Sequence, residues 1–103
     1  MKSSTNKAII NGNYKIMGDG MGFKVTFMES GTFILPDAKK MPVGTTYVIK
    51  NWSKDENTII QVKTVNGNNI DLGNHIRIQN YNLKQYECMS VIRYNDDFLW
   101  YLY

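Results

Sequence analysis

The chain reads as an all-β protein, a small antiparallel β-sandwich or jelly-roll-like head. Three observations carry that prediction. No window of the 103 residues shows a sustained apolar stripe at helical spacing. Short apolar runs recur at close intervals, separated by Gly, Asn and Asp. Aromatic residues make up 13% of the chain, seven of them tyrosines, and such residues suit pleated, half-buried surfaces.

The elements follow in order. Residues 1–7 are small and polar and read as a flexible N-terminal segment, and residues 8–103 as a single β-sandwich domain. Residues 7–17 hold two short pieces divided by Asn11-Gly12-Asn13, a hairpin-like signal. Three glycines in 18–22 mark a turn, and residues 23–28 and 32–35 read as strands. Pro36 ends the second of these, because it has no N–H to give a ladder. Asp37 is a good cap for one helical turn over Ala38-Lys39-Lys40, and Pro42-Val43-Gly44 returns the chain to extended structure. Residues 46–50 form a strand whose expected partner is 58–65, joined by a polar loop. Asn66-Gly67 is the strongest short hairpin signal in the chain. Residues 70–72 and 75–79 follow, with Ile76 and Ile78 on one face and His75, Arg77 and Gln79 on the other. Residues 85–94 form the longest strand candidate, and Asn95-Asp96-Asp97 turns into the final segment.

That segment, Phe98-Leu99-Trp100-Tyr101-Leu102-Tyr103, is apolar or aromatic on both alternating faces. A half-solvated antiparallel strand keeps one face polar. Either this strand is central and covered on both sides, or one face meets another subunit. A chain of this length has few layers with which to cover both, which favours oligomerisation.

Composition excludes several functions. Hydrophobic residues at 43% and charged residues at 20% describe a globular chain. The net charge of +3 comes from scattered bases interleaved with acids, as in Lys54-Asp55-Glu56, so no nucleic-acid partner is expected. No stretch approaches the ~20 apolar residues of a membrane span, and the start lacks a signal-peptide core, so synthesis in a reducing cytoplasm and no membrane insertion are expected. The single cysteine, Cys88, reads as a small buried hydrophobe.

The residues also predict no enzyme, no metal and no cofactor. With one His and one Cys, neither a four-ligand zinc site nor a nucleophilic triad is favoured, and His75 reads as a surface residue beside Arg77. Asp96-Asp97 are adjacent, whereas a glycosidase pair faces across a cleft. The glycine-rich 18–22 lacks the Lys and Ser/Thr of a phosphate loop. Trp52 stands apart, a large aromatic in a polar loop. It either folds back over its own loop, packs on a neighbouring subunit, or stacks a sugar ring with Asn51 and Asp55 beside it. Tyr81, between two asparagines, is a second glycan-binding candidate.

Leu35-Pro36, Pro42, Gly44, Tyr47, Ile49, Asn51, Gly67, Trp100 and Tyr101 together form a pattern: a strand ending in Leu-Pro, a short loop, Pro-x-Gly-x-x-Tyr-x-Ile-x-Asn, an Asn-Gly turn and a closing Trp-Tyr. It spans about two-thirds of the chain and resembles a β-sandwich module of bacteriophage tail-fibre, spike and head-fibre proteins. The family often places Gly-Thr or Asp-Gly before Trp-Tyr, where this chain has Asp96-Asp97-Phe98-Leu99, so a wider final turn is expected. The resemblance implies a non-enzymatic virion protein, a homotrimer used for host attachment or capsid decoration. Its implied partners are further copies of itself, other tail or capsid proteins and a host surface glycan. Trp100, Tyr101 and Tyr103 become candidates for the trimer interface. The alternative is a free-standing, lectin-like carbohydrate-binding domain using Asn51, Trp52, Asp55 or Tyr81.

Overall fold

The computed structural model of the chain describes residues 5–10, 12–15 and 22–103. Among these are eleven strands: β1 (Thr5–Ile10), β2 (Tyr14–Lys15), β3 (Phe23–Met28), β4 (Thr32–Ile34), β5 (Thr46–Asn51), β6 (Ile60–Lys63), β7 (Ile70–Asp71), β8 (Arg77–Ile78), β9 (Asn80–Leu83), β10 (Cys88–Ile92) and β11 (Trp100–Leu102). One 3₁₀ turn, Ala38–Lys40, interrupts them. The expected turn at 18–22 lies outside the described residues except for Gly22, and so do residues 1–4 of the expected flexible start. Thr5 to Lys7 of that start stand in β1.

The expectation of strands holds, but the antiparallel pairing does not. A seven-stranded sheet A has the order β1-β3-β5-β10-β11-β7-β8, and a four-stranded sheet B the order β2-β4-β6-β9. Both sheets are mixed. β1, β3 and β5 run parallel, and so do β2, β4 and β6. The chain therefore alternates between the sheets through three turns of a coil. Antiparallel strands then close it, with β10 on β5, β11 on β10 and β9 on β6.

Corner chemistry explains the alternation. In the expected hairpin at Asn11-Gly12-Asn13, Asn11 lies outside the described residues, and the corner at Gly12-Asn13 leads into β2 in sheet B and not back onto β1. There it stacks on the next corner: the Gly12 N–H donates to Ser30 Oγ at 2.8 Å, and the Thr32 N–H donates to Asn13 Oδ1 at 3.0 Å. Gly31 makes this stacking possible. Its φ is +92°, and a Cβ there would lie 2.2 Å from the Gly12 carbonyl carbon, so no other residue fits.

Two further expected hairpins are corrected in the same way. β5 and β6 lie in different sheets and are not partners. Asn66-Gly67 makes a local turn, with φ values of 54° and 72° and an Asn68 N–H to Val65 O bond of 2.9 Å, but it too crosses between sheets. That turn docks on the 3₁₀ turn instead, where Asn68 Oδ1 accepts from the Ala38 N–H at 2.7 Å. The hairpins at Gly73-Asn74 and Asn95-Asp96-Asp97 do form, joining β7 to β8 and β10 to β11. Ile78 packs on the core, whereas Ile76 falls in the turn and is exposed.

The sheets share one core. Tyr47, Ile49, Met89, Val91 and Trp100 come from sheet A, and Phe33, Ile60, Val62 and Leu83 from sheet B. The Tyr47 ring lies 6.2 Å from Phe33 and 5.3 Å from Trp100, linking the layers. Burying each such side chain contributes about 1.5–3 kcal/mol.

Asp37 caps the 3₁₀ turn as expected, accepting from the Lys39 N–H at 3.1 Å. The amide of Asn66 donates to its other oxygen at 2.9 Å, and this bond, followed by that from Lys39, holds the carboxyl below its ordinary 3.8. A depressed folded value stabilises the fold above the unfolded value and is lost as pH falls through the folded one. Asp37→Asn is therefore expected to be less stable than the parent chain at pH 6. The gap, under about 1 kcal/mol at this half-buried, solvent-screened site, should close below pH 3.8 in acid-titrated urea melts.

Candidate binding surface

Residues that alternate inward along sheet A build the core, and their neighbours build an outward face. Register places Phe27 beside Lys50 and Lys50 beside Cys88, then Val25 beside Val48 and Val48 beside Ser90. Ile92 stands beside Tyr101, and Tyr101 beside Asp71. Phe23, Val25, Phe27, Val48, Ile92 and Tyr101 are all half-buried on this face. Cys88, expected to be buried, is exposed here, because Met89 and Val91 take the inward positions of β10.

At one end of the face stands an aromatic shelf. Trp52 follows β5 directly, and its N–H donates to the Met28 carbonyl at 2.8 Å. Its ring meets the edge of Phe27 at 5.7 Å and 83°, and lies 5.6 Å from Tyr86 at 60°. Trp52 remains 45% exposed and Tyr86 54%. Trp52 thus packs on rings from β3 and from the turn before β10, and not on its own loop.

Asn51 fixes this shelf from beneath. It is fully buried, and its Nδ2 donates to the carbonyls of Thr58 and Leu83, each at 2.9 Å, while Oδ1 accepts from the Ser53 N–H at 3.0 Å. An amide so engaged positions the loop and offers nothing to a ligand. Gln85 Nε2 donates to the Ser53 carbonyl at 3.0 Å and ties the Tyr86 turn to the same loop. The Lys50 ammonium donates to the Tyr86 carbonyl.

Tyr86 has φ 64°, the left-handed region that Asn and Gly adopt readily and a bulky residue does not. This conformation costs about 1 kcal/mol. Asn66 and Asn74 are the ordinary occupants of such positions. Phe98 is the other bulky aromatic there, with φ 62°, and its ring carries the cations of Lys39 and Arg93 at 5.8 and 5.7 Å.

The remaining expected site residues are placed as follows. Asp55 is exposed, and its carboxylate accepts from the Asn57 N–H at 2.9 Å to close the loop. Tyr81 is half-buried and turns inward from β9 against the core, away from any part in the shelf, whose rings are Phe27, Trp52 and Tyr86. Trp100, expected at an interface, is fully buried within its own chain, with its Nε1 donating to the Pro36 carbonyl at 3.3 Å. The closing strand is central in sheet A, between β10 and β7: Trp100 and Leu102 face the core and Tyr101 faces out. Tyr101 meets Tyr94 edge-on at 5.7 Å and donates its hydroxyl to Asp97, a bond that raises its pKa above 10.0. Tyr103 is exposed.

Phe27 and Tyr86 had no mark in the sequence. Tyr86 sits in what reads as a long strand over 85–94, but the strand begins only at Cys88. The final turn closes over Arg93, which is buried under it and donates to the carbonyls of Asn95 and Leu99 at 3.0 and 3.2 Å. The chain matches no family model, no curated protein and no solved structure.

Proposed function

We propose that this chain is a non-enzymatic structural module of a bacteriophage virion, a homotrimeric tail-fibre or head-fibre unit for host attachment or capsid decoration. The observation that carries the proposal is the outward face of sheet A. Phe23, Val25, Val48, Ile92 and Tyr101 form an apolar band across four strands, with neither a helix nor sheet B over it among the described residues. Such a band favours contact with further copies of the chain. The residues that carry the fibre resemblance support the same reading as a set. Tyr47, Ile49, Asn51 and Trp100 are all fully buried, and Pro36 supplies the carbonyl that Trp100 bonds. They mark a scaffold and not a reaction centre. In this reading the partners are copies of the chain, tail or capsid proteins and a host surface glycan, and the chain resides in the virion after synthesis in the bacterial cytoplasm.

Val48→Lys tests the proposal. Val48 faces outward between Val25 and Ser90, so a lysine there can extend into solvent in a single chain and is expected to change its stability by under about 1 kcal/mol. In an assembly it places like charges at the contact. Sedimentation should show three chains for the parent and one for the variant, while Ile59→Lys, at an exposed position before β6, stays trimeric. A Val48→Lys protein that remains trimeric excludes this face.

A further inference from the structure

We propose that Phe27, Trp52 and Tyr86 form a saccharide-binding shelf, on which the C–H face of a pyranose ring stacks against Trp52 with Tyr86 alongside. The inference deepens the attachment half of the fibre reading by naming the ligand class and its site, and it rests on that reading only for the source of the sugar.

Three observations converge. First, the Trp52 ring is held by its neighbours, edge-on to Phe27 and tilted against Tyr86, yet nearly half of it faces solvent. A stiffened, exposed aromatic gives contact area at low entropy cost. Second, Tyr86 occupies a left-handed backbone position that Asn or Gly fills without strain, with its ring more than half exposed. Phe98, in the same conformation, is explained by the two cations on its ring, whereas the contact of the Tyr86 ring is with Trp52. Strain of this kind concentrates where function requires the side chain. Third, the shelf is bordered by hydrogen-bonding groups. Lys50 uses one of its three donors on the Tyr86 carbonyl, and Gln85 is bound through Nε2 and carries Oε1 as an acceptor.

That border decides between occupants. Subunit contacts exclude charge from their centre, and the Lys50 ammonium held at the Tyr86 carbonyl suits a wet site better than a dry one. A sugar needs both halves, an apolar ring face and donors and acceptors for its hydroxyls. A proline-rich peptide also stacks on aromatics, but it calls for an extended groove, and Tyr86 tilted at 60° to Trp52 makes a corner.

The two tryptophans supply the probe. Trp100 is fully buried and Trp52 is exposed, so acrylamide quenching of tryptophan emission reads Trp52. The full chain is titrated with methyl glucosides, methyl galactosides, N-acetylglucosamine, rhamnose and, separately, a polyproline peptide. At least one sugar should blue-shift the emission and protect Trp52, with half-saturation on the order of 1–10 mM. Tyr86→Asn should weaken that protection more than tenfold while raising the melting temperature by about 4 °C, because Asn accepts the backbone that Tyr86 strains. Trp52→Ala, followed by isothermal calorimetry, should abolish binding. The proposal is overturned if none of these sugars protects Trp52, if only the peptide does, if Tyr86→Asn binds as the parent does, or if that variant melts lower. The mass of the same samples separates the two readings. A monomer that binds sugar contradicts the fibre trimer alone, and a trimer that binds none contradicts the shelf alone.

Discussion

Asn51→Asp should cost the chain much of its stability at neutral pH. Asn51 is completely buried, and both of its amide N–H groups go to carbonyls, of Thr58 and Leu83. A carboxylate is isosteric but has no donor, so it would set its oxygens against two carbonyl oxygens in the core. Each carbonyl left without a partner costs about 1–3 kcal/mol, and the uncompensated charge adds to this. A total loss of at least about 4 kcal/mol stands against the roughly 5–15 kcal/mol that holds a domain together. Lowering the pH should restore part of the stability. The buried carboxyl has its folded pKa raised, so its stabilising neutral form prevails below the unfolded value and the fold weakens as pH rises. Protonated, it can also donate one of the two lost bonds. Urea melts at pH 7 and pH 4 measure this. Equal stability of parent and variant at pH 7 would mean that Asn51 faces solvent and is free for a ligand.

Trp100→Ala comes next in size. Trp100 is the largest fully buried side chain, packs 5.3 Å from Tyr47, and holds the Pro36 carbonyl through its indole N–H. Truncation leaves a cavity between β11 and the loop after β4, at a cost of about 3–5 kcal/mol. For a domain of this size that is a fall in melting temperature of more than about 12 °C. The loss should be independent of protein concentration, because the cavity lies inside one chain. A variant that keeps its melting temperature but changes its assembly would return Trp100 to an interface.

The sequence located most of the strands but not their partners, for a physical reason. Alternation along 46–51 identifies Tyr47 and Ile49 as inward, because side-chain period depends only on local pleating. Which strand lies beside β5 depends on contacts far along the chain. β3 pairs with β1 at an offset of 18 residues and with β5 at an offset of 23, so the coil carries no fixed repeat. Asn-Gly at 66–67 was legible as a turn, yet a turn does not state whether the chain returns to the same sheet. Pro36 and the Asp37 cap were legible because they act within a few residues.

The site divides in the same way. Trp52 stood out because a large aromatic in a polar loop needs a neighbour. Its actual neighbours, Phe27 and Tyr86, reach it through strand register and a left-handed turn, neither of which leaves a local trace. Asn51 is the last residue of β5 and faces inward, so a polar residue that reads as loop is core. Tyr81 turned inward by the parity of β9, and Cys88 outward by the parity of β10.

The outward band of sheet A gives the fibre reading its most exposed commitment, because half-buried apolar residues on four adjacent strands favour a partner surface. Native mass spectrometry of the unmodified chain at micromolar concentration tests it directly. Three chains per particle, persisting on dilution until the fold itself melts, is the predicted result. A particle of one chain that keeps its native circular dichroism would contradict it.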